Sequence, residues 1–196
     1  MSVGSGTAGL DLFVERGFLD AATLAEVFAA VRASGGGPAT VYGRGDSGSV
    51  DERVRRTTRL APPAETEELV RRLLLSRMGA AEGHFGRTLK EVEEPQFLRY
   101  GPGGYFVAHQ DGNTGLLRSE REDRKVSAVV FLNSQAETSG PDAYRGGSLV
   151  FHPRGAGERL RLAGEAGTLV LFRAETTHEV EPVTGGERFT IASWYK

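Results

Sequence analysis

The sequence contains no cysteine among its 196 residues. This absence excludes disulfide bonds, thiolate metal sites and cysteine nucleophiles. No apolar run approaches the length of a membrane span, and "MSVGSGTAGLDLFVERG" lacks the basic start and continuous apolar segment of a signal peptide. With a formal net charge of −2, the chain also lacks the basic excess that nucleic acids and membrane surfaces attract. We therefore expect a cytoplasmic protein with no nucleic-acid or membrane partner; the sequence carries no signal for its oligomeric state.

Glycine, in contrast, is abundant, with 27 residues. Many glycines lie in pairs and clusters between short apolar runs, which is typical of a β protein with many turns. The strand-like runs begin after about residue 90 and read "EPQFLRY", "YFVAHQD", "KVSAVVFLN", "GGSLVFHP", "GTLVLFR", "HEVEPV" and "RFTIASWY". Their length and spacing predict a sandwich or jelly roll. Two longer connections, 112–124 and 134–146, are interpreted as loops at the substrate entrance.

The part before residue 90 predicts helices. Asp20 is a candidate N-cap for a helix in "LDAATLAEVFAAVRAS", which the glycines and proline of 35–38 end. A second helix is predicted in "PPAETEELVRRLLLSRMGA". Residues 43–48 have the G-x-G-x-x-G spacing of a dinucleotide site but no βαβ context, so we interpret them as a loop. "VRRTTRL" is either a strand or a basic loop edge. We expect a single domain over 1–196, with helical support to about residue 90 and a jelly-roll core over about 91–196.

The four histidines are the candidate metal ligands. His84 is flanked by glycine and reads as a surface or capping residue, and His152 precedes a proline turn and reads as structural. His109 and Asp111, in "YFVAHQDGN", are two residues apart on a predicted strand and so point to the same side. His178 begins a later strand. Two histidines and one carboxylate are the set that holds non-haem iron(II) on one face and leaves the opposite face open.

Arg188 lies on the last predicted strand, "RFTIASWY". Strand alternation places Arg188, Thr190, Ala192 and Trp194 on one face of this strand. An arginine on the inward face needs an anionic partner, because an unpaired buried charge is very costly. Its guanidinium can form two parallel hydrogen bonds with a carboxylate, such as the remote carboxylate of a 2-oxo-acid. On its own, Arg188 would read as a surface residue of an edge strand.

Several motifs in this order resemble the iron(II)/2-oxoglutarate-dependent dioxygenases, specifically the prolyl 4-hydroxylase-like branch. The resemblance covers about residues 95–196. It rests on "LRYGPGGYFVAHQDGN", with its tyrosine, glycine-rich turn and His-x-Asp, on "VSAVVFLN" and "GGSLVFHP", and on "HEVEPV" followed by "RFTIASWY". It implies a mainly β protein with a double-stranded β-helix (jelly roll) core and N-terminal flanking α-helices.

The resemblance also implies an iron site and a reaction. His109, Asp111 and His178 would be the Fe(II) ligands and the catalytic centre. Dioxygen and 2-oxoglutarate would be consumed, succinate and CO2 released, and an unactivated C–H bond hydroxylated, with ascorbate as a supporting additive. The aspartate at position 111 favours hydroxylation, since related halogenases lack this carboxylate. A prolyl residue or a small amino-acid-like molecule is the implied substrate.

Three further residues are implied to bind the cosubstrate. Arg188 would pair with the distal carboxylate of 2-oxoglutarate, Tyr100 would reach the cosubstrate pocket, and Trp194 would wall the site. Two positions depart from the family pattern: Phe106 and Phe131 stand where some members carry a tyrosine. The second of these departures leaves open how the cosubstrate carboxylate is held.

Two other classes stay open on the residues alone. A cupin-like isomerase or sugar-binding module would use more histidines, with His152 as a fourth ligand and no need for Arg188. A structural jelly roll would carry its histidines by chance. The arginines of "DERVRRTTRL" and of 112–124 either contact an anionic or carboxylate-bearing substrate or are simply solvated.

Overall fold

The computed structural model describes residues 10–39, 51–112, 123–155 and 157–196. The helices in these ranges are α1 (Ala21–Ala33), α2 (Ala64–Leu75) and α3 (Met78–Phe85). The strands in these ranges are β1 (Leu12–Glu15), β2 (Gly36–Pro38), β3 (Arg55–Arg56), β4 (Thr58–Leu60), β5 (Gln96–Tyr100), β6 (Tyr105–His109), β7 (Val126–Phe131), β8 (Ser134–Gln135), β9 (Ala143–Gly146), β10 (Leu149–His152), β11 (Leu160–Leu162), β12 (Leu169–Arg173), β13 (Thr177–Val180), β14 (Val183–Gly185) and β15 (Arg188–Tyr195). No helix within the described ranges has both the length and the apolar character needed to cross a bilayer.

Two antiparallel sheets form the body of the protein. The larger sheet has the strand order β1-β12-β7-β15-β5-β4-β2, and the smaller has the order β11-β10-β13-β6-β3. Strands that are distant in the chain therefore become neighbours, as β15 does with β5 and β7. A third sheet, β14-β9-β8, is attached beside them. This topology is a double-stranded β-helix with helices before it, which confirms the predicted fold class.

The larger sheet has one hydrophobic cluster on each face, because its side chains alternate. On β15, Phe189 and Ile191 belong to the cluster that also contains Val27 and Val31 of α1 and Val70 of α2. On the other face, residues of β5, β7 and β12 pack with residues of β10 and β13 in the second cluster. The helices therefore cover the outer face of the larger sheet, and the space between the two sheets is left for the site.

Local signals explain the helix boundaries. The Asp20 side chain accepts a hydrogen bond of 2.8 Å from the Thr23 N–H and caps α1 as predicted. The single helix predicted over the second segment is instead two helices, interrupted at Ser76. The Ser76 hydroxyl donates to the carbonyl of Leu73 at 2.6 Å, a local bond that competes with the helical ladder. Gly86 ends α3 with a φ of +61°, the left-handed conformation that suits glycine.

Strands occur in three places where none was predicted, and a strand is also the outcome of the alternative left open for "VRRTTRL". β1, at the edge of the larger sheet, lies in a part interpreted as helical. The residues "GGP" were expected only to end α1, but they also form the strand β2. "VRRTTRL" forms β3 and β4. The interpretation of 134–146 as a loop is wrong, because this segment contains β8 and β9. The 43–48 segment and most of 112–124 lie outside the described residues.

Candidate active site

Two histidines face each other across neighbouring strands. His109 ends β6, His178 lies on β13, and the antiparallel register places them directly opposite, with ring centroids 4.3 Å apart. Asp111 follows His109 by two residues, and its Oδ1 lies 3.4 Å from His109 Nε2. Its Oδ2 lies 3.5 Å from His178 Nε2. One possible ligand atom from each of the three residues therefore lies within 4.8 Å of the others, close enough to bind one metal ion.

Hydrogen bonds hold both rings in the orientation that a metal requires. His109 Nδ1 lies 2.8 Å from the Val107 carbonyl oxygen, and His178 Nδ1 lies 3.0 Å from the Thr176 carbonyl oxygen. A carbonyl oxygen only accepts, so each Nδ1 carries the proton and each Nε2 offers a lone pair. Both Nε2 atoms point to Asp111, where a shared ion would lie.

The carboxylate is positioned as firmly as the rings. Ser127 Oγ on β7 donates to Asp111 Oδ2 at 2.7 Å. The backbone N–H groups of Asp111 and Gly112 both donate to the Ala174 carbonyl oxygen at 3.0 Å. A Cβ on Gly112 would lie 2.7 Å from the carbonyl oxygen of Arg124, so the turn after Asp111 requires a residue without a side chain.

Burial and the neighbouring polar groups together set the protonation states of the cluster. Burial lowers the pKa of His178 to about 4, against the opposing attraction of Asp111, so this imidazole is neutral near pH 7. Burial alone would raise the pKa of the Asp111 carboxyl, but the neighbouring His178 and His109 and the hydrogen-bond donors hold it well below its usual range. A neutral imidazole and an ionised carboxylate are the forms that bind metal.

The cluster opens into a cavity of about 360 Å³ between the two sheets. Arg188, Thr190, Ala192 and Trp194 of β15 all line it, as the alternation of this strand predicts. Arg188 is almost completely buried, with 1% of its surface exposed. Its Cζ lies 5.1 Å from the ring centroid of Tyr100, another lining residue. The cavity therefore has a candidate metal-binding cluster and a buried guanidinium in its wall.

Arg188 has no carboxylate partner among the described residues. Its Nη1 donates to Thr190 Oγ1 at 3.2 Å, and its Nε is buried with no acceptor within the described ranges. Phe131 offers only a ring, with its centroid 5.3 Å from the guanidinium carbon. A buried charge without a counterion is costly, so this end of the cavity is built for an anion.

Tyr144 is a residue near this end that the sequence analysis missed. It is fully buried on β9 and does not line the cavity itself. Within the described residues no group meets hydrogen-bond geometry with its hydroxyl, although Arg188 and the backbone of Gly164 lie beside it. Burial raises the pKa of this hydroxyl, although the nearby Arg188 opposes the shift. Gly147 makes room for both side chains: at φ +63°, its Cβ would lie 3.1 Å from Arg188 Cδ and 3.3 Å from Tyr144 Cε2. The glycine pair in "YRGG" was the available signal.

Trp194 forms the wall next to the metal cluster. The guanidinium of Arg124 stacks on its ring at 3.5 Å, and Arg124 Nε donates to Glu93 Oε1 at 2.7 Å. The indole N–H helps to lower the pKa of Asp111, although no described atom meets hydrogen-bond geometry with it. Trp194 is thus packed against the Arg124–Glu93 ion pair on one side and faces the Asp111 carboxylate on the other.

The remaining histidines lie elsewhere. His152 Nε2 is 3.3 Å from Glu179 Oε1, and this residue is not part of the metal-binding cluster. His84 pairs with Asp11 at 2.9 Å on α3. A four-ligand site that includes His152, as the cupin-like alternative requires, is therefore not favoured. The segment 134–146 contributes no residue to the cavity wall, whereas "DERVRRTTRL" and Arg124 do.

The double-stranded β-helix places two imidazoles and one carboxylate around one point, and the same cavity contains a guanidinium without a counterion among the described residues. These features define a class of mononuclear metal sites that leave room for an anionic ligand. Sequence comparison gives the family. Residues 95–196 match the 2OG-Fe(II) oxygenase superfamily, and the chain belongs to this family. Members of this family are 2OG-Fe(II) oxygenases, and the residues here fit both groups: the two Nε2 atoms and the Asp111 carboxylate suit the ion, and the buried Nε of Arg188 suits a carboxylate.

Individual relatives are hydroxylases by name. A PKHD-type hydroxylase of Burkholderia lata is 32% identical over 157 residues, which are 79% of this chain and 66% of that protein. The chain thus spans slightly less than two thirds of that relative's length. A Pseudomonas putida prolyl-4-hydroxylase has a similar fold, with a TM-score of 0.72, 24% identity and coverage of 95% of this chain and 92% of that one. A Trichoplax adhaerens prolyl hydroxylase, solved with a peptide of hypoxia inducible factor, also has a similar fold. Its TM-score is 0.73 at 20% identity, with coverage of 94% of this chain and 83% of that one.

Proposed function

We propose that this chain is an Fe(II)- and 2-oxoglutarate-dependent hydroxylase. In this proposal, His109, Asp111 and His178 bind the iron and Arg188 binds the distal carboxylate of 2-oxoglutarate. The observation that carries the proposal is the presence of both groups in one cavity: a three-residue cluster with its Nε2 atoms directed inward, and a buried guanidinium without a counterion among the described residues.

The metal and cosubstrate supply the oxidising chemistry: with dioxygen, 2-oxoglutarate is decarboxylated to succinate and CO2 while a substrate C–H bond is hydroxylated. The protein's own residues bind and orient. The Val107 and Thr176 carbonyls hold the two imidazoles in the ligating tautomer. Ser127 fixes Asp111 through a charged hydrogen bond. Arg188 binds the distal carboxylate of the cosubstrate. Tyr100 and Trp194 line the cavity and exclude water.

The test is iron-dependent succinate release. Purified protein is incubated under air with Fe(II), 2-oxoglutarate and ascorbate, and succinate is measured with and without candidate substrates. We expect slow release without a substrate and none when Fe(II) is omitted. Calorimetry under anaerobic conditions should show that 2-oxoglutarate binding requires the metal. Absence of both succinate and metal-dependent 2-oxoglutarate binding would rule out the proposal.

The finer assignments are also part of the proposal. A prolyl residue or a small amino-acid-like molecule is the proposed substrate class, supported by the names of the structurally similar prolyl hydroxylases. We propose that the helical and strand-rich parts act as one domain, because Arg55 from the first part and His109 from the second line the same cavity. The cytoplasmic location stays a prediction from the sequence.

A further inference from the structure

The cavity contains two more arginines that the proposed reaction does not use. Arg55 and Arg59 line it from β3 and β4. β3 pairs with β6, the strand of His109, whereas β4 pairs with β5 of the larger sheet. The segment 55–59 therefore crosses between the two sheets at one edge of the cavity and places a guanidinium on each side of the crossing.

The ring of Phe106 separates the Arg55 guanidinium from His109 of the metal cluster. Its Cζ is 4.7 Å from the centroid of the Phe106 ring, and this ring stacks on the imidazole of His109 at 3.6 Å with an angle of 19°. A group bound at Arg55 would therefore keep the rest of a small molecule close to the metal ligands. Phe106 stands where some family members carry a tyrosine, and here its ring sets the distance between Arg55 and His109.

The arginines of the cavity differ in how their charge is neutralised. Arg124 is paired with Glu93, and Arg188 is assigned to the cosubstrate. Within the described ranges, neither Arg55 nor Arg59 has a carboxylate at ion-pair distance, and Arg55 Nε is buried without an acceptor. The contact with Phe106 uses the ring face and leaves the N–H donors available for an oxyanion.

We propose that Arg55 and Arg59 bind an oxyanion, a carboxylate or a phosphate, of the substrate that is hydroxylated. The enzyme would then act on a small acid instead of a neutral or cationic molecule. This assignment rests on the proposed function, because it names the substrate class of the same site. The cavity that the arginines share with the metal cluster also has apolar lining residues, among them Val54, Leu98 and Val180, which suits a carbon chain. The volume of about 360 Å³ is at the small end for ligand sites.

The test compares acids with their uncharged analogues. Enzyme saturated with Fe(II) and 2-oxoglutarate without oxygen is titrated with a panel of N-acetyl-amino acids, with the matched amides and with inorganic phosphate. Calorimetry gives the affinity, and the fluorescence of Trp194, the single tryptophan, reports from the cavity wall. We expect at least one acid, or phosphate, to bind, and the amides to bind more weakly. Arg55→Gln and Arg59→Gln should each weaken oxyanion binding roughly tenfold, with partial recovery in Arg55→Lys.

Arg56 provides the matched control. It lies next to Arg55 on β3, is exposed, and does not line the cavity, so Arg56→Gln should bind the same oxyanions with wild-type affinity. If the wild-type enzyme binds phosphate but none of the carboxylates, and Arg55→Gln loses phosphate binding, the substrate carries a phosphate group. The proposal is overturned if neither phosphate nor any acid binds better than the amides, or if Arg56→Gln weakens binding as much as Arg55→Gln.

The two proposals fail in distinguishable ways. Succinate release without a substrate tests the hydroxylase assignment alone. If oxyanion binding depends on Arg55 but no succinate forms, the anion site stands and the hydroxylase does not. If succinate forms and oxyanion binding is absent, only the assignment of Arg55 and Arg59 is wrong.

Discussion

The two ends of the cavity, the metal-binding end and the Arg188 end, differ in how many of their polar atoms have hydrogen-bond partners within the protein. At the first, both histidine Nδ1 atoms have carbonyl acceptors and Asp111 Oδ2 has a hydroxyl donor. At the second, the Arg188 Nε is buried without an acceptor among the described residues. The protein thus supplies the atoms that orient the three candidate metal ligands, whereas it leaves N–H donors of Arg188 at the other end for a bound molecule to complete.

The largest expected effect is that of Asp111→Ala. Loss of a carboxylate ligand should abolish succinate release and weaken iron binding by well over the roughly 100-fold that loss of an outer-shell partner can cost. Iron content after equilibrium dialysis and succinate yield are the measurements. His152→Ala is the control, since His152 lies outside the cluster and the variant should keep its iron. Full iron binding by Asp111→Ala would contradict the ligand assignment.

Arg188→Ala should be next in size and should act on 2-oxoglutarate. A charge-assisted contact to a carboxylate contributes about 2–4 kcal/mol, so the cosubstrate concentration at half saturation should rise roughly 30- to 1,000-fold. Iron affinity measured without 2-oxoglutarate should change little. An unchanged half saturation would count against the role of Arg188.

Arg188→Met sharpens the contrast between the two ends. Methionine keeps much of the apolar stem and removes a buried charge that has no counterion among the described residues. Replacing buried charge with a packed apolar side chain is often neutral or stabilising, so the melting temperature without 2-oxoglutarate should not fall. Its increase on addition of 2-oxoglutarate should be lost. A large drop in the melting temperature of the free protein would show that the protein already neutralises Arg188.

Ser127→Ala should have a moderate effect on the metal end. The variant removes the donor that fixes Asp111 Oδ2, and loss of such an outer-shell partner typically weakens metal binding about 10-fold or more. Ser148→Ala is a matched control, because Ser148 bonds to Gln135 away from the cluster. Equal iron affinity in both variants would indicate that the backbone bonds to Ala174 suffice to hold Asp111.

The sequence predicted the metal end better than the Arg188 end, for a physical reason. His109 and Asp111 are two residues apart, so strand alternation alone brings them together. Their contact with His178 depends on the register between β6 and β13, which local patterns do not determine; the family resemblance was needed. Tyr144 could not be found in this way, because β8 and β9 are short strands in a segment that reads as a loop. The pairing of β9 with β8 and β14 depends on the folded chain, so local sequence patterns do not reveal it.

Tyr144→Phe should have the smallest effect and tests whether this hydroxyl, which lies beside Arg188 but not in the cavity wall, helps to position that guanidinium. Because no described group meets hydrogen-bond geometry with the hydroxyl, its removal should leave the free protein as stable as the wild type or slightly more stable. The affinity for 2-oxoglutarate should fall by roughly two- to threefold, the lower end of what one hydrogen bond contributes. Tyr195→Phe is the opposite control, since the Tyr195 hydroxyl donates to the Leu74 carbonyl at 2.8 Å. That variant should lower the melting temperature without changing 2-oxoglutarate binding, and the same pattern in Tyr144→Phe would make Tyr144 a purely structural residue.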